Sequence, residues 1–313
     1  MRALVVASLD GPGGVVLRNV PRPAPAPGEV TIRVHAAGVG RPASGRVPPA
    51  PQFVLGAAVA GTVLAAPSGS GHAPGDRVLA FCPTGGAGEV AVARADRTVA
   101  LPARWTFEQG AASLVPYLSA YFAVVERGRL AAGESVLVRG VGGGCSAALR
   151  VARAFGAARL VGAGAPSGSP SVDAGVEWVP VDGFRDAVRP AGAVDLVVDC
   201  TGGDGFVDAL RCLAVEGRAV LAGGSPGEVR VNRLLLNNIE VVGAAWEDWV
   251  CGGDGRLAGE WSAIAGEFTR GALMPIAGRV LPLDDETPAA LALGWPGPDA
   301  VIRIGTETNP PVG

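Results

Sequence analysis

Lysine is missing from this chain altogether: all 26 basic residues are arginine. Schiff-base and lysine general-base chemistry are thereby excluded. Histidine is confined to His35 and His72, too few to gather the three convergent ligands that a catalytic zinc needs. His35 lies in a strand-like run and reads as structural; His72, in a Gly/Ser loop, reads as solvated. The five cysteines, Cys82, Cys145, Cys200, Cys212 and Cys251, are odd in number, scattered and without a C-x-x-C spacing, so no disulfide framework is expected. Cys82 and Cys251 read as ordinary apolar positions. Only two tyrosines are present, Tyr117 and Tyr121. There is no G-x-S-x-G elbow and no histidine to complete a nucleophilic triad. No uninterrupted apolar run reaches the 18 residues that a membrane span requires, and a net charge of −3 without a basic stripe argues against nucleic acid as a partner. A strand-like run starts almost directly after Met1, which leaves no room for a leader and makes a cytoplasmic protein the expectation.

What the chain does have is apolar and small residues. Of its 313 residues 49% are hydrophobic and 48 are glycine, enough for two ordinary domains. The Ala/Gly/Pro/Val bias, together with arginine in place of lysine, reflects GC-rich coding. As far as about residue 110, short apolar runs alternate with Gly/Pro punctuation: 3–8, 30–36, 59–65, 77–81 and 89–93. That rhythm predicts an all-β or barrel-like unit. The order then changes to a helix over 118–129, a strand over 135–139, glycines, a helix over 145–155 and a strand over 159–163, which is βαβ order. Strands over 195–200, 218–222 and 239–245, with a helix over 205–214, continue a parallel sheet. A helix over 260–270 and strands near 278–283 and 300–304 follow.

The strongest local signal is the turn Arg139-Gly140-Val141-Gly142-Gly143-Gly144-Cys145-Ser146 between strand and helix. Glycines there let a backbone approach a pyrophosphate, and free N–H groups at the helix start favour its charge. The bland alternative is a tight turn with no ligand, natural in so glycine-rich a chain.

Several segments, in order along nearly the whole chain, resemble those of the zinc-independent quinone oxidoreductase and enoyl reductase branch of the medium-chain dehydrogenases/reductases. Gly56-Ala57-Ala58-Val59-Ala60-Gly61 is similar to P-G-x-[DE]-x-A-G, and Gly75-Asp76-Arg77-Val78 to G-D-R-V. Gly85 to Glu89 resembles G-G-x-A-E, Glu108 to Ala112 E-x-A-A, and Tyr117-Leu118-Ser119-Ala120-Tyr121 Y-L-T-A-Y. Asp199 to Gly203 resembles D-x-x-G-G, and Asn232 to Asn238 with Val241-Val242-Gly243 the N-x-L-L-L-x-N, V-V-G stretch. The resemblance implies an α/β protein with a GroES-like β domain over 1–115 and 252–313 and a doubly wound Rossmann domain over 116–251. It implies a homodimer through the strand near Val241. It further implies dinucleotide contacts from Gly142, Gly143, Gly144, Cys145, Gly202, Gly223 and Gly224, with Ser119 near the nicotinamide. Ser119 has the alternative of back-bonding its own helix.

The chain also departs from the pattern. Ala36-Ala37-Gly38-Val39 is followed by Gly40 where the family often has asparagine, removing a polar group from the expected substrate pocket. Ala58 stands at an acidic position, and Ser146 is read as replacing the last glycine of the turn. Around 164–169 there is neither a lysine for a 2′-phosphate nor an acid for a ribose hydroxyl; Ser167, Ser169 or Arg185 is the expected substitute, which favours NADPH without excluding NADH. Tyr117 and Tyr121 are candidate proton donors or core residues. Trp246 and Trp249 are candidate pocket walls or dimer-seam residues. The activity implied is hydride transfer from NAD(P)H to an activated C=C or a quinone, by analogy as a polyketide-tailoring enoyl reductase. The rivals are a non-redox ligand-binding relative and an alcohol dehydrogenase, the latter disfavoured by the lack of an evident base.

Overall fold

The structure, a computed structural model, describes residues 1–9, 12–40, 52–140, 142–166, 174–224, 228–253, 255–294 and 300–305. The first third is β-rich: β1 (Arg2–Val6), β2 (Val15–Asn19), β3 (Glu29–Val39), β4 (Phe53–Val54), β5 (Ala58–Ala65), β6 (Arg77–Phe81), β7 (Val90–Arg94) and β8 (Thr98–Ala100). Strands β2, β1 and β4 form a small sheet, and β3, β5, β6 and β8 run side by side with β7 also on β3. Alternation sets the faces: Val30, Ile32 and Val34 of β3 are buried while Arg33 between them is exposed.

Helix α1 (Phe107–Tyr121) begins eleven residues earlier than the sequence pattern predicts. Thr106 and Gln109 close a capping box, with Gln109 N–H donating to Thr106 Oγ1 at 3.1 Å and Thr106 N–H to Gln109 Oε1 at 2.9 Å. Pro116 interrupts the periodicity from inside, and the helix runs on through a π-helical stretch at Phe122–Arg127. The helix packs on β3 and β5 on one side and on the first helix of the next unit on the other, tying the two together.

That second unit comprises β9 (Ser135–Arg139), α2 (Gly143–Ala154), β10 (Arg159–Ala163), β11 (Val176–Val179), α3 (Phe184–Val188), β12 (Val194–Asp199), α4 (Gly205–Leu210), β13 (Leu213–Leu221), α5 (Asn232–Asn237) and β14 (Glu240–Gly243). Its sheet is parallel in the order β11-β10-β9-β12-β13-β14. Val136, Leu137, Val138, Leu196, Val197 and Val198 are at most 1% exposed, as strands covered on both faces must be. The helix expected to reach Ala214 stops at Leu210, because the chain from Leu213 is drawn into a nine-residue strand beside β12.

The chain continues through α6 (Trp246–Cys251), which the pattern did not predict, α7 (Arg256–Thr269), β15 (Arg279–Pro282), α8 (Thr287–Gly294) and β16 (Ala300–Arg303). Strand β16 pairs antiparallel with β3, Val301 facing Gly38, and β15 lies parallel to β16. The last strands thus complete the first sheet. Fold and order are those of a GroES-like β unit joined to a doubly wound α/β unit.

Candidate functional site

Strand order places the site. From β9 the chain moves to β10 on one side and later returns to β12 on the other. A crevice opens at such a switch point, outside the carboxyl ends of the strands, and ligands of doubly wound sheets bind there. The glycine turn after β9 lies at that position. Gly142 is the N-cap of α2 with φ 99°, a conformation that favours glycine, and no side chain caps the helix. Ser146 N–H donates to Gly142 O at 3.1 Å, and the backbone N–H groups of the first turn, from Gly143 onward, point out of the start of the helix. A helix start of this kind, bare of side chains on a twelve-residue helix, has the form of a cradle for an anion.

Beneath the cradle lies a buried ion pair. Arg139 Nη1 donates to Asp199 Oδ2 at 2.6 Å and to Gly202 O at 3.0 Å. The other oxygen, Asp199 Oδ1, accepts from the N–H groups of Thr201 and Gly202, both at 2.8 Å. The turn after β12 is therefore fixed from below. Gly224, after β13, comes so close to it that a Cβ would lie 1.8 Å from Thr201 O; glycine is required by the approach of two backbones. Gly202, Gly223 and Gly224 thus lie at the carboxyl ends of β12 and β13, next to the turn of Gly142, Gly143, Gly144 and Cys145.

The third fingerprint position differs from the sequence reading. Residues 140–145 spell G-x-G-x-x-C, and Cys145 is the residue that packs inward, 5% exposed, whereas Ser146 is half-buried on the helix flank. The place where a third glycine brings helix and strand together is occupied by Cys145, and Ser146 does not crowd it.

The other sequence candidates have the following surroundings. Ser119 Oγ donates to Val115 O at 2.7 Å, the back-bonding alternative. Tyr117 is fully buried; its hydroxyl donates to Met274 O at 2.5 Å and accepts from Arg150 at 3.2 Å. Burial raises its pKa, against the lowering effect of Arg150. Tyr121 stacks edge-on to Phe155, 5.5 Å between centroids, at the far end of α2 from Gly142, about 18 Å along the helix. Its pKa is raised by burial and by Glu126 and Glu260. Trp246 is 1% exposed, edge-on to Phe81, and donates its indole N–H to Glu260 Oε2 at 2.6 Å. Trp249 leans on Phe122 and carries the Arg256 guanidinium on its face. Gly40 is exposed with open space at its Cβ position. Arg185 is engaged by Asp186 and Asp208, and Ser167 and Ser169 lie outside the described residues.

Sequence reasoning passed over Glu260. It is 3% exposed, and burial raises its pKa to about 8 against the opposing hydrogen bond from Trp246. His35 is stacked on Phe107 at 4.3 Å and bonded to Thr62 at 3.1 Å. Among the described residues no three His, Cys, Asp or Glu side chains converge as a metal site.

Comparison with known proteins gives the family. The alcohol dehydrogenase GroES-like domain family matches residues 26–107. The chain is 33% identical over 250 residues to the quinone oxidoreductase of Rattus norvegicus, covering 74% of this chain and 75% of that one. It is also 33% identical over 286 residues to the spectinabilin polyketide synthase system protein NorB of Streptomyces orinoci, covering 84% of this chain but spanning only 13% of that protein. A mycobacterial protein solved in complex with NADPH superposes with a TM-score of 0.84 at 26% identity, over 97% of this chain and 99% of the other. The chain belongs to the zinc-independent quinone oxidoreductase and enoyl reductase branch of the medium-chain dehydrogenase/reductase superfamily.

Proposed function

We propose that this protein is an NADPH-dependent reductase acting on a quinone or an activated C=C, such as an enone or enoyl ester. The observation that carries the reading is the uncapped start of α2 at the switch point of the sheet, in a chain of this oxidoreductase family. The residues fit the cofactor: three successive glycines leave the amides uncovered, and a diphosphate would accept hydrogen bonds from Gly143, Gly144 and Cys145. Gly202, Gly223 and Gly224 would flank the nucleotide, and Ser119 and Gly40 would border the nicotinamide and substrate ends. Bound there, the nicotinamide supplies the hydride. The protein's part is orientation and exclusion of water rather than strong acid catalysis. With Tyr117 tied to Met274 and Tyr121 at the opposite end of α2, we assign the proton to solvent and neither tyrosine to the reacting atoms. Trp246 and Trp249 would wall the substrate pocket with flat apolar surface.

The likeness to a polyketide synthase protein favours an enoyl substrate of polyketide type over a free quinone. A cytoplasmic homodimer belongs to the same proposal. Strand β14 is the edge of the parallel sheet, and near it Val231, Leu235 and Leu236 are 76%, 79% and 74% exposed. Unpaired strand backbone beside exposed leucines is a surface that a second copy would cover.

The test is a fluorescence titration with NADPH and NADH, followed by turnover assays with a quinone and with an enoyl thioester. Saturable NADPH binding and hydride transfer to either acceptor support the reading. Absence of binding at millimolar concentration overturns it in favour of a non-redox relative.

A further inference from the structure

Two of the five cysteines meet in the floor of the glycine turn. Cys145, in the first turn of α2, and Cys200, just past β12, lie close enough for the Cys145 thiol to raise the pKa of Cys200. A single point, where a Cβ on Gly140 would be, lies 2.8 Å from Cys145 Sγ and 3.3 Å from Cys200 Cβ. Topology brings this about. Strands β9 and β12 are parallel neighbours with Arg139 opposite Asp199, so the next residues, Gly140 and Cys200, adjoin. The helix that follows the tight turn then sets its inward-facing residue, Cys145, over Gly140. The other cysteines stand apart, Cys82 in the β-unit core, Cys212 before β13 and Cys251 in α6.

We propose that Cys145 and Cys200 are an oxidisable dithiol, which a hydroperoxide converts to a disulfide that deforms the anion cradle and weakens its hold on a dinucleotide. The weakening rests on the cofactor reading above; the dithiol itself does not. Cys200 is half-buried and Cys145 is 5% exposed, so Cys200 meets the oxidant first. Its sulfur attacks the peroxide: an S–O bond forms, the O–O bond breaks, and the leaving oxygen departs as water or alcohol with the thiol proton. Cys145 sulfur then attacks the sulfenic sulfur: the S–S bond forms, the S–O bond breaks, and water leaves with the second thiol proton. Two thiols have lost two electrons and the hydroperoxide has gained them. A disulfide of about 2.05 Å is shorter than any contact between two thiols, so closing it draws the first turn of α2 toward β12. The adjacent Cys145 thiol, burial and the nearby Asp199 hold the pKa of the Cys200 thiol well above its ordinary range. Little of the thiolate that attacks a peroxide is therefore present near neutral pH, so the bridge forms slowly and marks sustained exposure to oxidant.

The experiment uses the full chain, reduced, treated with hydrogen peroxide, freed of oxidant, and then divided between peptide mapping by mass spectrometry and NADPH titration. The expected result is a Cys145–Cys200 linked peptide lacking two hydrogens, reversed by dithiothreitol, with NADPH affinity lowered by about tenfold. In C145S and C200S no such peptide forms and peroxide does not change the affinity. No linked peptide while other cysteines oxidise, or a linked peptide with unchanged affinity, overturns the proposal. Reduced protein that binds no dinucleotide overturns the cofactor reading and the control with it, whereas the peptide map decides the dithiol by itself.

Discussion

Arg139 and Asp199 face each other across adjacent strands, 2.6 Å apart and with side chains 8% and 0% exposed, directly beneath the glycine turn. The pair holds the floor of the cradle in place, since Asp199 also fixes the amides of Thr201 and Gly202. Removing one member strands a buried charge. Arg139→Met is expected to cost about 3–5 kcal/mol of unfolding free energy, read as a lower urea midpoint. Adding Asp199→Asn to it is expected to recover part of the loss, which a double-mutant cycle measures.

Glu260 predicts a pH dependence. Its carboxyl titrates near 4.5 in the unfolded chain and at about 8 in the folded one. Between those values the native state holds a proton that the unfolded chain has released, so stability falls as pH rises through the interval and levels off above it. Glu260→Gln keeps the acceptor for the Trp246 indole and removes the titration. Its stability relative to the parent is expected to rise by roughly 2–5 kcal/mol between pH 4.5 and 8.5, followed by thermal denaturation across that range. Parallel curves for the two proteins would contradict the assignment.

Tyr117 is expected to act as a structural tie between α1 and the segment before β15. Tyr117→Phe loses the hydrogen bond to Met274 O and is expected to cost about 1 kcal/mol. Turnover, once a substrate is in hand, is expected to stay within about twofold, a change worth less than 0.5 kcal/mol of barrier. A collapse of kcat with stability intact would return the hydroxyl to the reacting atoms.

Much of the fold was legible because its signals are local. The β-rich rhythm, the strand over 135–139 and the parallel strands after it follow from short apolar runs and glycine punctuation. The start of α1 was legible in principle, since Thr106 and Gln109 have capping-box spacing, but Pro116 hid the periodicity that would have drawn attention to it. The spacing G-x-G-x-x-C was likewise in plain view. Only the register of α2 on β9 decides that Cys145 rather than Ser146 takes the packing position. Glu260 gave no signal at all: its partner Trp246 lies fourteen residues upstream, and the two meet only through the packing of α6 and α7. Residues that bind through backbone amides are readable from glycine spacing, whereas side chains paired across helices are not.

The exposed leucines beside the sheet edge predict association. Replacing Leu235 and Leu236 by Ser removes apolar surface that is 79% and 74% exposed in the single chain. Sedimentation equilibrium is expected to shift from dimer toward monomer with little change in monomer stability, because neither side chain contributes to the core. A parent protein that sediments as a monomer would contradict the dimer.

Whether the amides of Gly143, Gly144 and Cys145 hold a diphosphate is decided by a crystal structure with NADPH bound. Diphosphate oxygens are expected about 3 Å from those three nitrogens, above the Arg139–Asp199 pair. A cofactor bound with its diphosphate away from the start of α2, or crystals that exclude the nucleotide while the turn keeps its conformation, would contradict it.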